Sequence, residues 1–366
     1  MLQQKSVHFN GLNGIRAICA LAVVISHSSL SLTLAGIEAG RILGLAAYGV
    51  TAFFALSGFL ITYLLIEEKT SHGRISVKKF YIRRMLRIWP LYFGYMLIAI
   101  LLDIFVFHFT DFSSIGFYLF FFPNIPFSYE MVGMKTFVPI YLLGHFWSLG
   151  VEEQFYAFYP WLIKFFKKLF IVLISMFMLV LAIKLVTKFL SYKTANPFWY
   201  SWVDNTRFDV MAIGGLGAWF YKYRLPLVTQ LVKSRIIQLL VTIIILLVLI
   251  NMLEIPNSLA HMLVAGVTVM AIYYAHLFEK PYINLRNRYI DYLGKISFGI
   301  YVYHPVAIGF IALIMKDLAV SSLFKIPVFF ISILLLTILF ASLSYRYYEN
   351  YFLKLKFRYA VVKSRD

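Results

Sequence analysis

Residues 16–27 read RAICALAVVISH, an apolar run between an arginine and a histidine. By the period of an α-helix, Arg16 and His27 lie about three turns apart, so both side chains project from the same face. Along the helix axis they are separated by roughly 16 Å, half the hydrocarbon thickness of a bilayer. Ionisable side chains inside a membrane are costly, and they commonly mark functional sites. The stretch therefore predicts a membrane-spanning helix with a functional face.

The composition of the 366-residue chain is that of a membrane protein. Hydrophobic residues make up 61% and charged residues 14%, and the mean hydropathy is +0.81, which excludes an ordinary soluble domain. We predict an all-α integral membrane protein with one transmembrane domain over residues 1–366 and no appended soluble domain. The first apolar segment is predicted to be a retained span rather than a signal peptide, because it is long and carries Arg16 and His27.

Long apolar segments recur along the chain and predict about ten transmembrane helices. The predicted spans are 12–32, 45–66, 88–108, 146–166, 169–187, 207–221, 236–253, 258–277, 296–315 and 325–347. Lys and Arg concentrate in the segments that this arrangement places in the cytoplasm, including a basic tail at 348–366, so both termini are predicted to be cytoplasmic. The same bias explains the formal net charge of +18 without a nucleic-acid partner. Cys19 is the only cysteine, so we expect no disulfide within the chain and no metal site.

The predicted topology brings polar groups of two spans to a similar depth. Arg16 is placed near the cytoplasmic face, and His27 lies in the outer half of the membrane. The fourth span runs in the opposite direction and places Glu152 and Glu153 at about the depth of His27. We therefore expect His27 to meet a glutamate. Adjacent residues point about 100° apart on a helix, so only one of the two can face it well, and either remains possible.

Six ordered blocks of the sequence resemble the membrane-bound acyltransferase 3 family. These blocks are LNGIRAICALAVVISH (12–27), FFALSGFLI (53–61), RRMLRIWP (83–90), HFWSLGVEEQFY (145–156), RFDVMAIGGLGA (207–218) and ISFGIYVYHP (296–305). The resemblance covers essentially the whole chain. It implies a multi-pass protein of the bacterial cytoplasmic (inner) membrane that moves an acyl group from cytoplasmic acyl-CoA, here expected to be acetyl-CoA, to a glycan or glycolipid acceptor.

His27 is the best candidate for the catalytic base. Transfer of an acyl group to a hydroxyl needs a base for the hydroxyl proton, and the membrane interior favours a neutral imidazole. Glu152 or Glu153 is predicted to hold the tautomer of His27. The sequence leaves open whether His27 is a base or is itself acylated first. A structural alternative is a hydrogen bond from His27 to a neighbouring helix.

Basic residues near the cytoplasmic face are predicted to bind the donor. Arg84 and Arg87 are three residues apart and can share a helix face, and guanidinium groups suit phosphates because they bond them in a bidentate manner. Arg16 is predicted to meet the donor deeper in the membrane. The alternative for Arg84 and Arg87 is that they only set the orientation of the chain in the membrane.

Four further residues are predicted to line the acceptor path. They are Trp147, Ser148, Tyr301 and His304. The alternative for Trp147 is the aromatic belt at the membrane surface, and the alternative for Tyr301 and His304 is a hydrogen-bonded packing stripe on the ninth span.

A second functional class is a proton-coupled transporter or flippase of an envelope precursor. In that case Arg16, His27 and Glu152 would form a relay across the membrane. Such proteins often show repeated halves and interrupted helix pairs, and neither is evident in this sequence. The sequence therefore favours the acyltransferase.

Overall fold

The computed structural model describes residues 9–38, 44–108, 111–249, 257–278, 284–318 and 321–362. These ranges contain helices and no strand, which confirms the predicted all-α class. The α-helices are α1 (Leu12–Leu30), α2 (Leu45–His72), α3 (Val77–Leu102), α4 (Ile115–Leu119), α5 (Asn124–Met131), α6 (Trp147–Phe165), α7 (Leu169–Thr194), α8 (Phe198–Thr206), α9 (Phe208–Tyr223), α10 (Leu225–Lys233), α11 (Arg235–Leu249), α12 (Asn257–Leu277), α13 (Arg288–Lys295), α14 (Ser297–Met315), α15 (Ser322–Ser344) and α16 (Asn350–Arg358).

Among the described residues, seven helical segments are long and apolar enough to cross a membrane. They are Leu12–Leu30, Leu45–His72, Val77–Phe107, Leu169–Thr194, Asn257–Leu277, Ser297–Met315 and Ser322–Arg358. The other three predicted spans fall on α6, α9 and α11. Of these, α6 carries Glu152, Glu153 and Lys164, α9 has only 16 residues, and α11 is bent by 70° against α10. The count of ten spans and the cytoplasmic position of both termini stay predictions.

Two of the spanning helices extend beyond their predicted ends. Helix α3 begins at Val77 rather than near residue 88, because Ser76 caps it and the basic segment that follows contains no helix breaker. The last span continues through a π-helical turn, Tyr345–Glu349, into α16. The first half of the predicted basic tail is therefore helical. Its end is tied to α3 by a hydrogen bond from Arg83 to the Tyr359 carbonyl oxygen at 3.0 Å.

Helices α2 and α9 cross in backbone contact at the centre of the protein. A Cβ atom on Gly58 would lie 2.1 Å from the Met211 carbonyl oxygen, and one on Gly214 would lie 2.1 Å from the Ala55 carbonyl oxygen. Small residues permit such close approach between membrane helices. The crossing holds α2 in a fixed position, and α2 forms one wall of the cavity described below.

The Gly214→Ala substitution should destabilise the fold, because the new methyl group has no space at this crossing. Overpacking of this kind costs about 1–3 kcal/mol or more. We expect a lower melting temperature of the detergent-solubilised protein and a smaller monodisperse fraction on size-exclusion chromatography. Gly266→Ala on α12 is the matched control, since a Cβ atom there meets nothing within 4 Å. Equal stability of the two variants would contradict the close crossing.

Candidate active site

A cavity of about 180 Å³ lies between α1, α2, α3, α6, α14 and the segment that begins with α16. Its polar and charged lining residues are Arg16, Ser57, Arg83, Arg84, Arg87, Ser148, Glu152, Tyr156, Ser297, Tyr301 and Lys356. Five of these side chains are basic and one is acidic. The cavity is therefore suited to an anion, and the predicted set of Arg16, Arg84 and Arg87 lines it together.

The cations of this cavity differ in how far the protein itself neutralises them. Arg83 forms a salt bridge with the buried Glu68 at 3.3 Å. Within the described ranges, Arg84, Arg87 and Lys356 form no salt bridge. The guanidinium group of Arg84 instead lies 5.2 Å from the centre of the Tyr156 ring. Three basic groups thus remain for an anionic ligand.

Lys356 is a lining residue that the sequence did not single out. It belongs to α16, in the segment predicted to be a cytoplasmic tail, where its charge was counted as part of the positive-inside bias. Only the packing of α16 against α3 brings it to the cavity, and this contact between distant segments leaves no local pattern. Ser57 and Tyr156 belong to the sequence blocks 53–61 and 145–156, but nothing in those blocks indicated that both side chains donate to Glu152.

The structure separates the two adjacent glutamates of α6. Glu152 lines the cavity and accepts hydrogen bonds from Ser57 and from the Tyr156 hydroxyl group. Glu153 points toward α3 and accepts a hydrogen bond from Trp89 Nε1 at 2.9 Å. Both carboxylates are therefore engaged with residues other than a histidine.

His27 lies against another imidazole instead of a carboxylate. Its Nδ1 atom is 2.7 Å from Nε2 of His304, and the two rings stack with their centres 4.9 Å apart. His304 is fully buried, whereas His27 is partly exposed. The predicted encounter of His27 with a glutamate is thus wrong as a direct hydrogen bond, because Glu152 and Glu153 are turned toward other partners.

Tyr301 and Ser148 form the link between the cavity and the histidines. The Ser148 and Tyr301 hydroxyl groups are 2.6 Å apart, and Tyr301 donates to the His145 carbonyl oxygen at 2.7 Å. Both residues line the cavity. The ring of Tyr301 is 5.8 Å from that of His304, which in turn stacks on His27. Two ring contacts therefore separate the cavity wall from His27.

The remaining two residues of the predicted acceptor path are largely buried. Trp147 is 7% exposed and stacks on Phe127 at 4.7 Å, with the guanidinium group of Arg207 at 5.6 Å. His304 contacts His27 from the protein interior. The structure therefore groups Ser148 and Tyr301 at the cavity. Trp147 and His304 are buried and do not line it.

A buried ionic cluster fixes the start of α9 near Trp147. Lys184 of α7 lies 2.8 Å from Asp209 and 3.2 Å from Asp204. Arg207 donates to the Ala47 carbonyl oxygen at 3.1 Å and to Thr51. The four charged residues of the cluster, Lys184, Asp204, Arg207 and Asp209, are all at most 9% exposed. The cluster joins α2, α7, α8 and α9 without an unbalanced charge.

Comparison with known proteins identifies relatives along nearly the whole chain. The profile of a family described as "Acyltransferase domain" matches residues 9–346. A protein of Staphylococcus aureus strain COL, provisionally named an O-acetyltransferase, is 28% identical over 377 residues, which cover 96% of this chain and 58% of that protein.

Two further relatives carry the name OatA. The O-acetyltransferase OatA of S. aureus strain NCTC 8325 is 26% identical over 93% of this chain and 56% of its own length. The peptidoglycan O-acetyltransferase OatA of Listeria monocytogenes strain EGD-e is 27% identical over 43% of this chain and 24% of its own length. The chain thus spans less than two thirds of these relatives. No solved structure matches it.

The Lys184→Met substitution should destabilise the protein, because it leaves Asp204 and Asp209 buried near each other without their lysine. Removal of one partner from a buried ion pair costs about 3–5 kcal/mol. We expect a clear fall of the melting temperature in detergent. The control is Lys188→Met, one turn along the same helix at an exposed position. A cluster without structural importance would give equal melting temperatures for the two variants.

Proposed function

Because this chain belongs to the acyltransferase 3 family of membrane-bound acyltransferases, we propose that it transfers an acyl group, most simply acetyl, from acyl-CoA to a hydroxyl group of a cell-envelope glycan. The observation that carries this proposal is one cavity that is lined both by three basic side chains without a salt bridge in the described ranges, Arg84, Arg87 and Lys356, and by Ser148 and Tyr301, which lie two ring contacts from His27. The cations suit the phosphates of coenzyme A, and the histidine suits a hydroxyl acceptor.

We place the nucleotide end of the donor between α3 and α16. Arg84 and Arg87 approach it from α3, and Lys356 from α16, while Arg16 lines the cavity from α1. The acyl arm then follows the cavity toward Ser148 and Tyr301. To meet His27, the thioester end must pass these two hydroxyl groups. In this scheme Glu152 positions Ser57 and Tyr156 in the cavity wall, and it does not touch His27.

The proposed acceptor is a glycan or glycolipid on the outer side of the cytoplasmic membrane. Support comes from the Listeria relative, whose name assigns its O-acetyl group to peptidoglycan. Sugar hydroxyls need a base for attack on a thioester, and His27 is partly exposed. Ser148 lines the cavity at the start of α6, where we expect the acceptor to approach.

Loss of this protein should remove an acetyl group from an envelope glycan. We expect mass spectrometry of glycan fragments to show the loss of one acetyl mass per modified sugar in cells without the protein, and in cells with only His27→Ala. The reason is that the base for the acceptor hydroxyl is absent. His72→Ala, at the exposed end of α2, should keep wild-type acetylation at equal membrane abundance. Wild-type acetylation with His27→Ala would refute the assigned base.

Purified protein should bind acetyl-CoA through the basic end of the cavity. Each of Arg84→Ala and Lys356→Ala removes one charge-assisted contact to phosphate. Each should therefore raise the dissociation constant of acetyl-CoA about tenfold. Isothermal titration calorimetry in detergent measures this change. Arg74→Ala, an exposed cation between α2 and α3, should bind like the wild type. Equal weakening in all three variants would indicate a nonspecific surface effect, and no binding by the wild type would contradict the donor site.

A further inference from the structure

Helix α14 contains a proline whose position exposes one backbone carbonyl group. Pro305 has no N–H, so the carbonyl oxygen of Tyr301, four residues earlier, lacks its usual helical hydrogen bond. The Nδ1 atom of His304 lies 2.6 Å from this oxygen. The imidazole therefore supplies the donor that the proline removes.

This contact fixes the tautomer of His304. A carbonyl oxygen can only accept, so Nδ1 of His304 carries the proton. We assign the neutral ring, because an imidazolium at this fully buried position would be a charge without solvent. In the neutral ring, a proton on Nδ1 leaves Nε2 as an acceptor.

The tautomer of His304 then determines that of His27. Nε2 of His304 is 2.7 Å from Nδ1 of His27, so the proton of this hydrogen bond belongs to His27 Nδ1. A neutral His27 with its proton on Nδ1 has an unprotonated Nε2. Within the described part of the chain, this Nε2 atom makes no hydrogen bond. It is therefore the basic nitrogen of this ring.

We propose that Tyr301, His304 and Pro305 form a tautomer lock, which presents Nε2 of His27 as the base for acyl transfer. The inference rests on the proposed function and adds a positioning role to His304, which acts through His27 and does not touch the substrate. A neutral imidazole here takes the place that a carboxylate has in many hydrolases. It orients the base without placing a further charge inside the membrane.

In the proposed reaction, Nε2 of His27 carries one proton from the acceptor to the leaving group. Nε2 of His27 takes the proton of the acceptor hydroxyl group while the hydroxyl oxygen forms a bond to the thioester carbon. The carbon–sulfur bond breaks, its electron pair goes to the sulfur of coenzyme A, and the thiolate takes the proton from Nε2. His27 ends as it began, and its Nδ1–H stays bonded to His304 throughout.

The test compares two substitutions of His304 that differ in hydrogen bonding. His304→Leu cannot accept a hydrogen bond from His27, whereas the side-chain oxygen of His304→Gln can. Removal of a partner that orients a metal-binding histidine typically costs about 10- to 100-fold. By analogy, we expect kcat for acetyl transfer to fall about 10- to 100-fold in His304→Leu. The dissociation constant of acetyl-CoA should stay unchanged, and His304→Gln should recover most of the loss. Equal losses in both variants, or wild-type kcat in His304→Leu, would overturn the lock.

A second variant tests the proline without changing either histidine. Pro305→Ala returns an N–H to the Tyr301 carbonyl oxygen and so competes with His304 Nδ1. We expect a smaller fall of kcat than in His304→Leu, again with unchanged binding of acetyl-CoA. Pro327→Ala, at an exposed position of α15, is the control and should keep wild-type kcat. Wild-type kcat in Pro305→Ala at equal melting temperature would contradict the lock.

A measurement that does not depend on activity separates this inference from the proposed function. Nitrogen-15 NMR of histidine-labelled wild-type protein in detergent distinguishes protonation at Nδ1 from protonation at Nε2, and the His27→Ala and His304→Leu samples assign the signals. We expect both His27 and His304 to be protonated on Nδ1. Protonation of His27 on Nε2 would overturn the lock whether or not the protein transfers an acyl group. The expected tautomers without any transfer from acetyl-CoA would refute only the proposed function.

Discussion

An ionisable side chain inside a bilayer is stable only with a partner, and this constraint governs where the polar groups of the protein lie. Lys184 meets Asp204 and Asp209, so the charges at the start of α9 are compensated. In the proposed tautomers, His27 and His304 share one hydrogen bond as neutral rings, so this pair needs no counter-ion. Arg84, Arg87 and Lys356 depart from this pattern, because in the described part of the chain they line the cavity without a salt bridge.

Helical periodicity was sufficient to predict that Arg16 and His27 lie on one face of the first helix. Arg16 and His27 had to share a face, and the structure places Arg16 at the cavity and His27 against His304, outside the cavity lining. The partner of His27 was not predictable in the same way. Glu152, Glu153 and His304 all lie on other helices, and the rotation of those helices about their axes depends on packing between segments far apart in sequence. Lys356 was missed for the same reason.

Hydropathy also did not predict where the helices begin and end. Apolar runs indicate where a chain can contact lipid, but a helix ends only at a cap or a breaker. Val77 therefore begins α3 well before its apolar part, and the last span extends into α16. These extensions bring basic residues to the cavity, because Arg84 and Lys356 lie on the extended parts of the two candidate membrane spans.

Tyr301 makes contacts toward both ends of the proposed path. Its hydroxyl group bonds Ser148 at the cavity, and its carbonyl oxygen bonds His304 next to His27. In the proposed path, a displacement of the Tyr301 side chain by the acyl arm can leave the backbone contact intact. The proposed base would then keep its orientation while the donor passes.

The continuity of the last span with α16 has a mechanical consequence. Residues Ser322–Arg358 form one helical segment of 37 residues, with Lys356 near its end and Arg83 bonded to Tyr359 just beyond it. Helices adapt to a thicker or thinner bilayer by tilting. A tilt of this long helical segment would move Lys356 relative to α3 and change the width of the cavity. If the cavity binds coenzyme A as proposed, the chain length of the surrounding lipids would act on that binding from outside the protein.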